Sequence, residues 1–291
     1  MRRVALAGVG NMGGAIAQRL LDQRWPVQVF DIDAAKVAEL QALGASGRPD
    51  AAQAVMGCGV LVVCVVDAAQ TEDVLFGPKG AAQVMRAGQA VLLCPTIAPG
   101  DVEDFARRLA GHGVSTIDAP MSGGPARARD GSMSLMVACE DGVFERQRMV
   151  IEAISSKVFR ISQRPGDGAR TKLVNNLLAG INLAGAAEAL AMAGRLGLDP
   201  AATLDVIEQS SGQSWIGSDR MRRAIAGDYA PRAHVTLLQK DTRLAVEAAA
   251  AAGFTGPLGP AARDVFARAA QAGLGDLDDA ALYRLLSPPA R

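Results

Sequence analysis

Lys172 and Asn176 are the residues whose types and spacing most directly suggest chemistry. They lie in the segment formed by residues 166–176, far downstream of a Gly-rich turn near the N-terminus. Residues four apart on a helix share one face, so an ammonium and an amide would converge on one small molecule. A lysine enclosed at a domain junction loses solvation, which lowers its pKa toward the range useful for proton transfer. We therefore expect an acid/base group here, with a solvated helix lysine as the structural alternative.

The Gly-rich turn follows the first apolar run directly and opens a helical stretch, with the sequence Gly8-Val9-Gly10-Asn11-Met12-Gly13. In such a turn the first glycine permits the tight bend and the second lets a pyrophosphate approach the backbone. The third allows close packing of helix on strand. Amides at a helix N-terminus favour phosphate charge. All six residues are predicted to bind a dinucleotide.

Asp31 ends the next apolar run, about where an acidic residue binds the adenosine ribose hydroxyls. A carboxylate there would repel a 2′-phosphate, and no Arg follows within Asp31-Ile32-Asp33. NAD is therefore predicted, with NADP the less favoured cofactor. The structural alternative is that Asp31 or Asp33 merely caps the next helix.

A second Gly-rich loop, Asp118-Ala119-Pro120-Met121-Ser122-Gly123-Gly124-Pro125, follows a later apolar run. The Ser122 hydroxyl and the amides after it would suit a substrate carboxylate. A Gly-rich loop in isolation is often only a loop. Its position beyond the carboxyl end of a strand, where α/β sheets bind ligands, favours the functional interpretation.

Composition limits the partners. Thirty basic residues balance thirty acidic ones, which argues against nucleic acid or a membrane surface as partner. Two histidines and no clustered ligands argue against a metal site. The four cysteines, none in a C-x-x-C pair, predict buried reduced thiols and a reducing compartment; they are Cys58, Cys64, Cys94 and Cys139.

One stretch, residues 177–194, approaches the length of a membrane span. Asn182 and Glu188 interrupt it, and its Ala and Gly residues suit helix packing. A buried helix in a cytoplasmic protein is the prediction.

The elements that would position these residues follow an α/β pattern. Short apolar runs alternate with helical stretches through the first half, which is typical of a doubly wound parallel sheet. After Arg164-Pro165-Gly166 the chain reads as helical throughout. We predict a Rossmann-type NAD-binding domain over residues 1–163 and an all-α domain for substrate binding and oligomerisation over 164–291, joined by a long helix at 169–196.

Together these motifs resemble the β-hydroxyacid dehydrogenase family over essentially the whole chain. The turn at 8–13 is similar to the family's cofactor turn, and residues 118–131 to its substrate signature. Residues 166–176 resemble the segment with the catalytic lysine, and Lys240-Asp241 resembles a lysine–aspartate pair of the C-terminal domain. Several motifs in the right order are more specific than any one of them.

The resemblance implies a role for each matching position. Lys172 would be the acid/base and Asn176 would hold the substrate. The carboxylate would bind at Ser122, Gly123 and Gly124, and the cofactor would run along Thr96 and Lys240.

The resemblance also argues against two related activities. Asn175 stands where 6-phosphogluconate dehydrogenases have a histidine, which disfavours that substrate. Retention of Lys172 disfavours an imine reductase.

Substrate preference within the family is implied only by short segments. Residues 210–215 resemble both the 3-hydroxyisobutyrate and the L-threonate enzymes, whereas Asp228-Tyr229-Ala230-Pro231-Arg232 is more similar to the L-threonate side. An aromatic-glycine segment of the hydroxyisobutyrate branch is missing. The prediction is a polar sugar acid such as L-threonate, with Arg232 either in the site or on the surface.

The implied reaction is reversible hydride transfer between a hydroxy acid and a nicotinamide, in a homodimer or homotetramer. The alternatives are 3-hydroxyisobutyrate oxidation and tartronate semialdehyde reduction. A nucleotide-sensing protein without catalysis is the non-enzymatic alternative, although such a protein would not need Ser122, Lys172 and Asn176 together.

Overall fold

The computed structural model describes residues 3–287 and divides the chain into two compact units. The first unit ends at Lys172 and the second begins at Leu173, so the division falls inside one long helix.

The first unit is built on one nine-stranded sheet in the order β3-β2-β1-β4-β5-β6-β8-β7, with β9 paired to β8. Strands β1 to β6 run parallel to one another, and β8 runs antiparallel to β6. The chain order places the reversal between β1 and β4, where doubly wound sheets bind ligands. The strands are β1 (Arg3–Ala7), β2 (Val27–Phe30), β3 (Ser46–Gly47), β4 (Cys58–Val63), β5 (Ala90–Leu93), β6 (Ser115–Asp118), β7 (Met121–Ser122), β8 (Ser134–Ala138) and β9 (Lys157–Ser162).

Helices cover both faces of this sheet, which explains why its central strands are apolar without alternation. Val4 and Leu6 pack into one core, whereas Ala5 and Ala7 pack into the core on the opposite face. The helices are α1 (Asn11–Asp22), α2 (Ala34–Ala42), α3 (Ala51–Val55), α4 (Ala68–Phe76), α5 (Pro99–Gly111), α6 (Gly124–Asp130) and α7 (Asp141–Ile154), with a 3₁₀ turn at Ala81–Gln83.

The predicted doubly wound α/β class is confirmed, while some element bounds differ. Strand β4 ends at Val63, although the apolar run in the sequence continues to Val66. The short strands β3 and β7 have only two residues each, too few for a periodic sequence signal.

The second unit is helical, as predicted. Its core surrounds Phe266, Leu183 and Leu190, which are fully buried. Asp199 caps α9 by accepting from the Ala202 amide, with Pro200 at the first helical position. The helices are α8 (Asp167–Arg195, which begins in the first unit), α9 (Pro200–Glu208), α10 (Trp215–Ile225), α11 (Val235–Ala251), α12 (Leu258–Ala269) and α13 (Leu282–Leu286), with a π turn at Ala270–Leu274 and a 3₁₀ turn at Asp279–Ala281.

Within residues 3–287, α8 is the one helix long and apolar enough to cross a membrane by length and composition. Leu183, Ala187 and Leu190 on this helix lie in the core of the helical unit. This packing is that of a core helix, which passes the same length and hydropathy test.

Candidate active site

The Gly-rich turn connects β1 to α1, and two of its glycines are required by the chain's own backbone. Gly8 has φ +84°, and a Cβ built on it would lie 2.7 Å from the Cys64 carbonyl oxygen. A Cβ on Gly13 would lie 1.9 Å from the Gly8 carbonyl oxygen. Both contacts are far inside van der Waals distance, so any side chain here would push α1 away from the sheet.

Gly10 differs from these two glycines. Its φ of −64° suits any residue, and the nearest atom to a Cβ built on it is the Lys36 Nζ at 4.0 Å. The protein itself therefore leaves space beside Gly10, at the N-terminus of α1, where the helix amides carry partial positive charge. This space and these amides fit the pyrophosphate of a dinucleotide.

Asp31 follows β2 and is tied to the Gly-rich turn rather than to the next helix. Its Oδ2 accepts a 2.6 Å hydrogen bond from the Val9 amide, and its Oδ1 accepts one of 2.9 Å from the Asp33 amide. Asp33, by contrast, caps α2 by accepting from the Ala35 amide. The structure thus separates the two acids: Asp33 is the helix cap, and Asp31 lies at the dinucleotide turn.

The second Gly-rich loop places its predicted carboxylate-binding residues at the start of α6. Ser122 belongs to β7 and pairs with Ser134 of β8. Gly123 and Gly124 follow with φ of +133° and +75°, so the backbone turns in a conformation that L side chains rarely adopt. The Ser122 and Gly123 positions are partly exposed, as a ligand-binding loop requires.

Asp118, at the end of β6, is a residue whose function the sequence did not reveal. It is 1% exposed, and its Oδ2 accepts hydrogen bonds of 2.8 Å from the Gly166 amide and 3.0 Å from the Ala169 amide. Burial raises the pKa of Asp118 to about 6, although the amides that donate to it oppose the shift. The carboxylate therefore holds the first turn of α8 against the sheet edge.

Lys172 lies on α8 one turn beyond the amides held by Asp118. Lys172 is 7% exposed, so it is a buried residue and not the solvated helix lysine that was the structural alternative. Because burial of an ammonium is costly, a lysine buried to this extent is a candidate catalytic group.

Asn176 follows on the same helix and is 8% exposed. Its Nδ2 donates a 2.6 Å hydrogen bond to the Asp241 Oδ2, and its Oδ1 accepts from the Asn175 Nδ2 at 3.0 Å. The other carboxylate oxygen of Asp241 lies 2.9 Å from the Lys240 Nζ. Asp241 thus orients Asn176 and Lys240 together, a role that the sequence motif did not specify.

The remaining predicted residues lie in loops. Thr96 is partly exposed between β5 and α5. The Arg232 side chain is 58% exposed, with its Nη1 3.9 Å from the Asp219 carboxylate, while its backbone amide donates to Asp278 at 2.7 Å. Ser214 caps α10 through the Gly217 amide.

Comparison with family models covers nearly the whole chain. Residues 3–162 match the NAD binding domain of 6-phosphogluconate dehydrogenase. Residues 166–286 match the NAD-binding domain of NADP-dependent 3-hydroxyisobutyrate dehydrogenase.

Individual proteins are similar over the same length. L-threonate dehydrogenase of Cupriavidus necator is 39% identical over 287 residues, covering 98% of this chain and 96% of the relative. The crystal structure of 3-hydroxyisobutyrate dehydrogenase from Salmonella typhimurium has a TM-score of 0.92 and 35% identity, covering 98% of this chain and 100% of its own. Psf3 in complex with NADP⁺ and 2-OPP has a TM-score of 0.89 and 28% identity, with the same coverage.

Proposed function

The chain belongs to the 3-hydroxyisobutyrate dehydrogenase family of nicotinamide-dependent dehydrogenases, and on that premise we propose that it oxidises a small sugar acid such as L-threonate. The nicotinamide, when bound, supplies the hydride acceptor. The chain supplies the proton acceptor, the carboxylate site and the cradle for the dinucleotide.

The observation that carries this proposal is the buried Lys172 on the helix turn that Asp118 fixes. In the oxidation direction the neutral Lys172 Nζ accepts the proton of the substrate hydroxyl, and in reduction the ammonium returns it. An ammonium fixed by a capped helix loses little freedom at each turnover, which is what acid/base assistance needs.

The other substrate contacts follow from charge and hydrogen bonding. Ser122 Oγ and the amides of Gly123 and Gly124 bind the substrate carboxylate. Asn176 holds a substrate hydroxyl, with its amide oriented by Asp241.

NAD is the proposed preference over NADP. Asp31 accepts from the turn amide of Val9, and a second anion on the ribose would be repelled by its carboxylate. Lys36 is the observation that favours NADP, because its ammonium lies close to the space beside Gly10 and could bind an additional phosphate. Asp33, 3.8 Å from Lys36, partly neutralises that charge.

The second candidate is oxidation of 3-hydroxyisobutyrate, or reduction of tartronate semialdehyde. The close structural likeness to the Salmonella 3-hydroxyisobutyrate dehydrogenase favours the first of these. The exposed Arg232 lends no support to a polar sugar-acid pocket on its own.

A substrate panel tests the proposal. NADH formation from L-threonate, D-glycerate, 3-hydroxyisobutyrate and β-hydroxybutyrate is compared by kcat/KM, with NAD⁺ and with NADP⁺. The highest value is expected for L-threonate with NAD⁺. A highest value for 3-hydroxyisobutyrate would assign the second candidate, and no turnover of any acid would reject the proposed activity.

We propose further that the enzyme is cytoplasmic and a homodimer or homotetramer. Supporting this, α8 carries apolar side chains on its exposed face, among them Val174, Leu178 and Met192. Light scattering coupled to size exclusion would give the mass, and Leu178→Glu is expected to lower it. A monomeric wild-type mass at micromolar concentration would contradict the proposal.

A further inference from the structure

Two thiols lie side by side at the carboxyl edge of the sheet, beneath the dinucleotide turn. Strands β4 and β5 are parallel neighbours in which Val63 is the register partner of Leu93. The residue that follows each strand is a cysteine, Cys64 after β4 and Cys94 after β5. The ladder continues through this pair, because the Cys94 amide donates to the Val63 carbonyl at 3.0 Å.

The two side chains project from the same face of the sheet. Both belong to the core under α1, with Cys94 4% exposed and Cys64 partly exposed. Neighbouring strands place such residues about 4.8 Å apart at Cα. Disulfides span Cα distances of roughly 4.4–6.8 Å, and the strand spacing lies within that range.

The two thiols also interact electrostatically. Hydrogen bonding with the Cys64 thiol, together with burial, raises the pKa of Cys94 well above its usual range. Cys94 is therefore a neutral thiol, and Cys64, the more exposed residue of the two, is the one that we expect solutes to reach.

The Cys64 backbone and side chain support the cofactor turn directly. Its carbonyl oxygen lies under Gly8, and its Cβ is 3.1 Å from the position that a Cβ on Gly13 would occupy. A dinucleotide bound at the turn lies outside the carboxyl ends of these strands. It would therefore cover the approach to Cys64.

We propose that Cys64 and Cys94 form a peroxide-oxidisable dithiol that is shielded by the bound dinucleotide. The inference depends on dinucleotide binding and not on which hydroxy acid the enzyme oxidises.

The chemistry balances with hydrogen peroxide as the oxidant. The Cys64 thiolate attacks one peroxide oxygen, the O–O bond breaks, and hydroxide leaves as a sulfenic acid forms; the proton that Cys64 released converts this hydroxide to water. The Cys94 sulfur then attacks the Cys64 sulfur, the S–O bond breaks, and the Cys94 proton leaves with hydroxide as a second water. Two thiols lose two electrons in total, and one peroxide is reduced to two waters.

The test treats the full-length protein with hydrogen peroxide, with and without NADH, and maps peptides without reduction. A linked Cys64–Cys94 peptide, reversed by dithiothreitol, is expected. NADH at about ten times its Kd should slow the linkage roughly tenfold, because only the dinucleotide-free fraction presents the thiol. Cys58→Ser/Cys139→Ser is the matched control and should link normally, since neither removed thiol lies in the pair.

A second measurement requires no oxidation. Phenylarsine oxide bridges two adjacent thiols with loss of water, and one such adduct is expected on the control variant. It should be absent from the same variant carrying Cys64→Ser or Cys94→Ser. The proposal is overturned if folded protein gives no linked peptide, if it gives only Cys64 sulfinic acid, or if NADH leaves the linkage rate unchanged.

Discussion

The Asp118 carboxylate accepts a 3.0 Å hydrogen bond from the Ala169 amide, three residues before Lys172. This bond joins the end of a strand to the first turn of the helix that carries the proposed acid/base group. The helix amides stabilise the carboxylate, and the carboxylate satisfies amides at the N-terminal end of α8.

The raised pKa of Asp118 should make the free energy of unfolding depend on pH. Its folded-state pKa is about 6, raised from 3.8, so the folded protein binds this proton more tightly than the unfolded chain does. The unfolding free energy should therefore gain about 2 kcal/mol from this group as pH falls from 7 to 4. Urea unfolding at pH 7.5 and 4.5 measures the difference, which should shrink in Asp118→Asn. An equal pH dependence in wild type and variant would contradict the assignment.

Replacing Lys172 should separate chemistry from folding. Lys172→Ala is expected to fold and bind NADH but to lose about 100- to 10,000-fold in kcat, because proton transfer then falls to water. Lys157→Ala, which alters an exposed lysine on β9, is the matched control and should retain wild-type turnover. Near wild-type kcat in Lys172→Ala would remove the residue from the mechanism.

Asp31 and Asp33 make a matched pair for cofactor preference. Asp31→Ala should raise the Kd for NAD by roughly ten- to a hundredfold, because a charge-assisted hydrogen bond is lost. The ratio of the Kd for NADP to the Kd for NAD should fall in this variant. Asp33→Ala should cost about 1 kcal/mol of stability as a lost helix cap, with the preference unchanged. Isothermal titration with both cofactors distinguishes the two, and the reverse pattern would exchange their roles.

The glycines of the turn should respond differently to a methyl group. Gly13→Ala is expected to destabilise the fold by several kcal/mol, on the order of other overpacking substitutions, because its Cβ meets the Gly8 carbonyl at 1.9 Å. Gly10→Ala should leave the melting temperature nearly unchanged and weaken NADH binding. Thermal unfolding without cofactor measures the stability of both variants, and titration with NADH measures their affinity. An unchanged NADH affinity in Gly10→Ala would place the pyrophosphate elsewhere.

The sequence was informative wherever local pattern carried the information. The glycine spacing at the first turn, the alternation of strands and helices, and the cap at Asp199 are local, and each of them appears in the structure. The short strands β3 and β7 have no periodicity to detect.

Relationships between distant residues were not visible in the pattern. In the sequence Asp118 is only the first residue of a loop motif. Its hydrogen bond with the Ala169 amide joins residues 51 positions apart, which no local pattern indicates. Cys64 and Cys94 are likewise thirty positions apart and become neighbours only through the register of β4 and β5.

The open space beside Gly10 means that the proposed cofactor binding could be lost without loss of the fold. Gly8 and Gly13 are restricted by the chain's own carbonyl groups, whereas the space beside Gly10 is open, with the Lys36 Nζ the nearest atom at 4.0 Å. In a related protein that no longer binds a dinucleotide, Gly8 and Gly13 would still be needed for folding, whereas Gly10 could be replaced. We therefore expect the residue at position 10 to vary with the use of a dinucleotide, and the residues at positions 8 and 13 to stay glycine wherever this turn is kept.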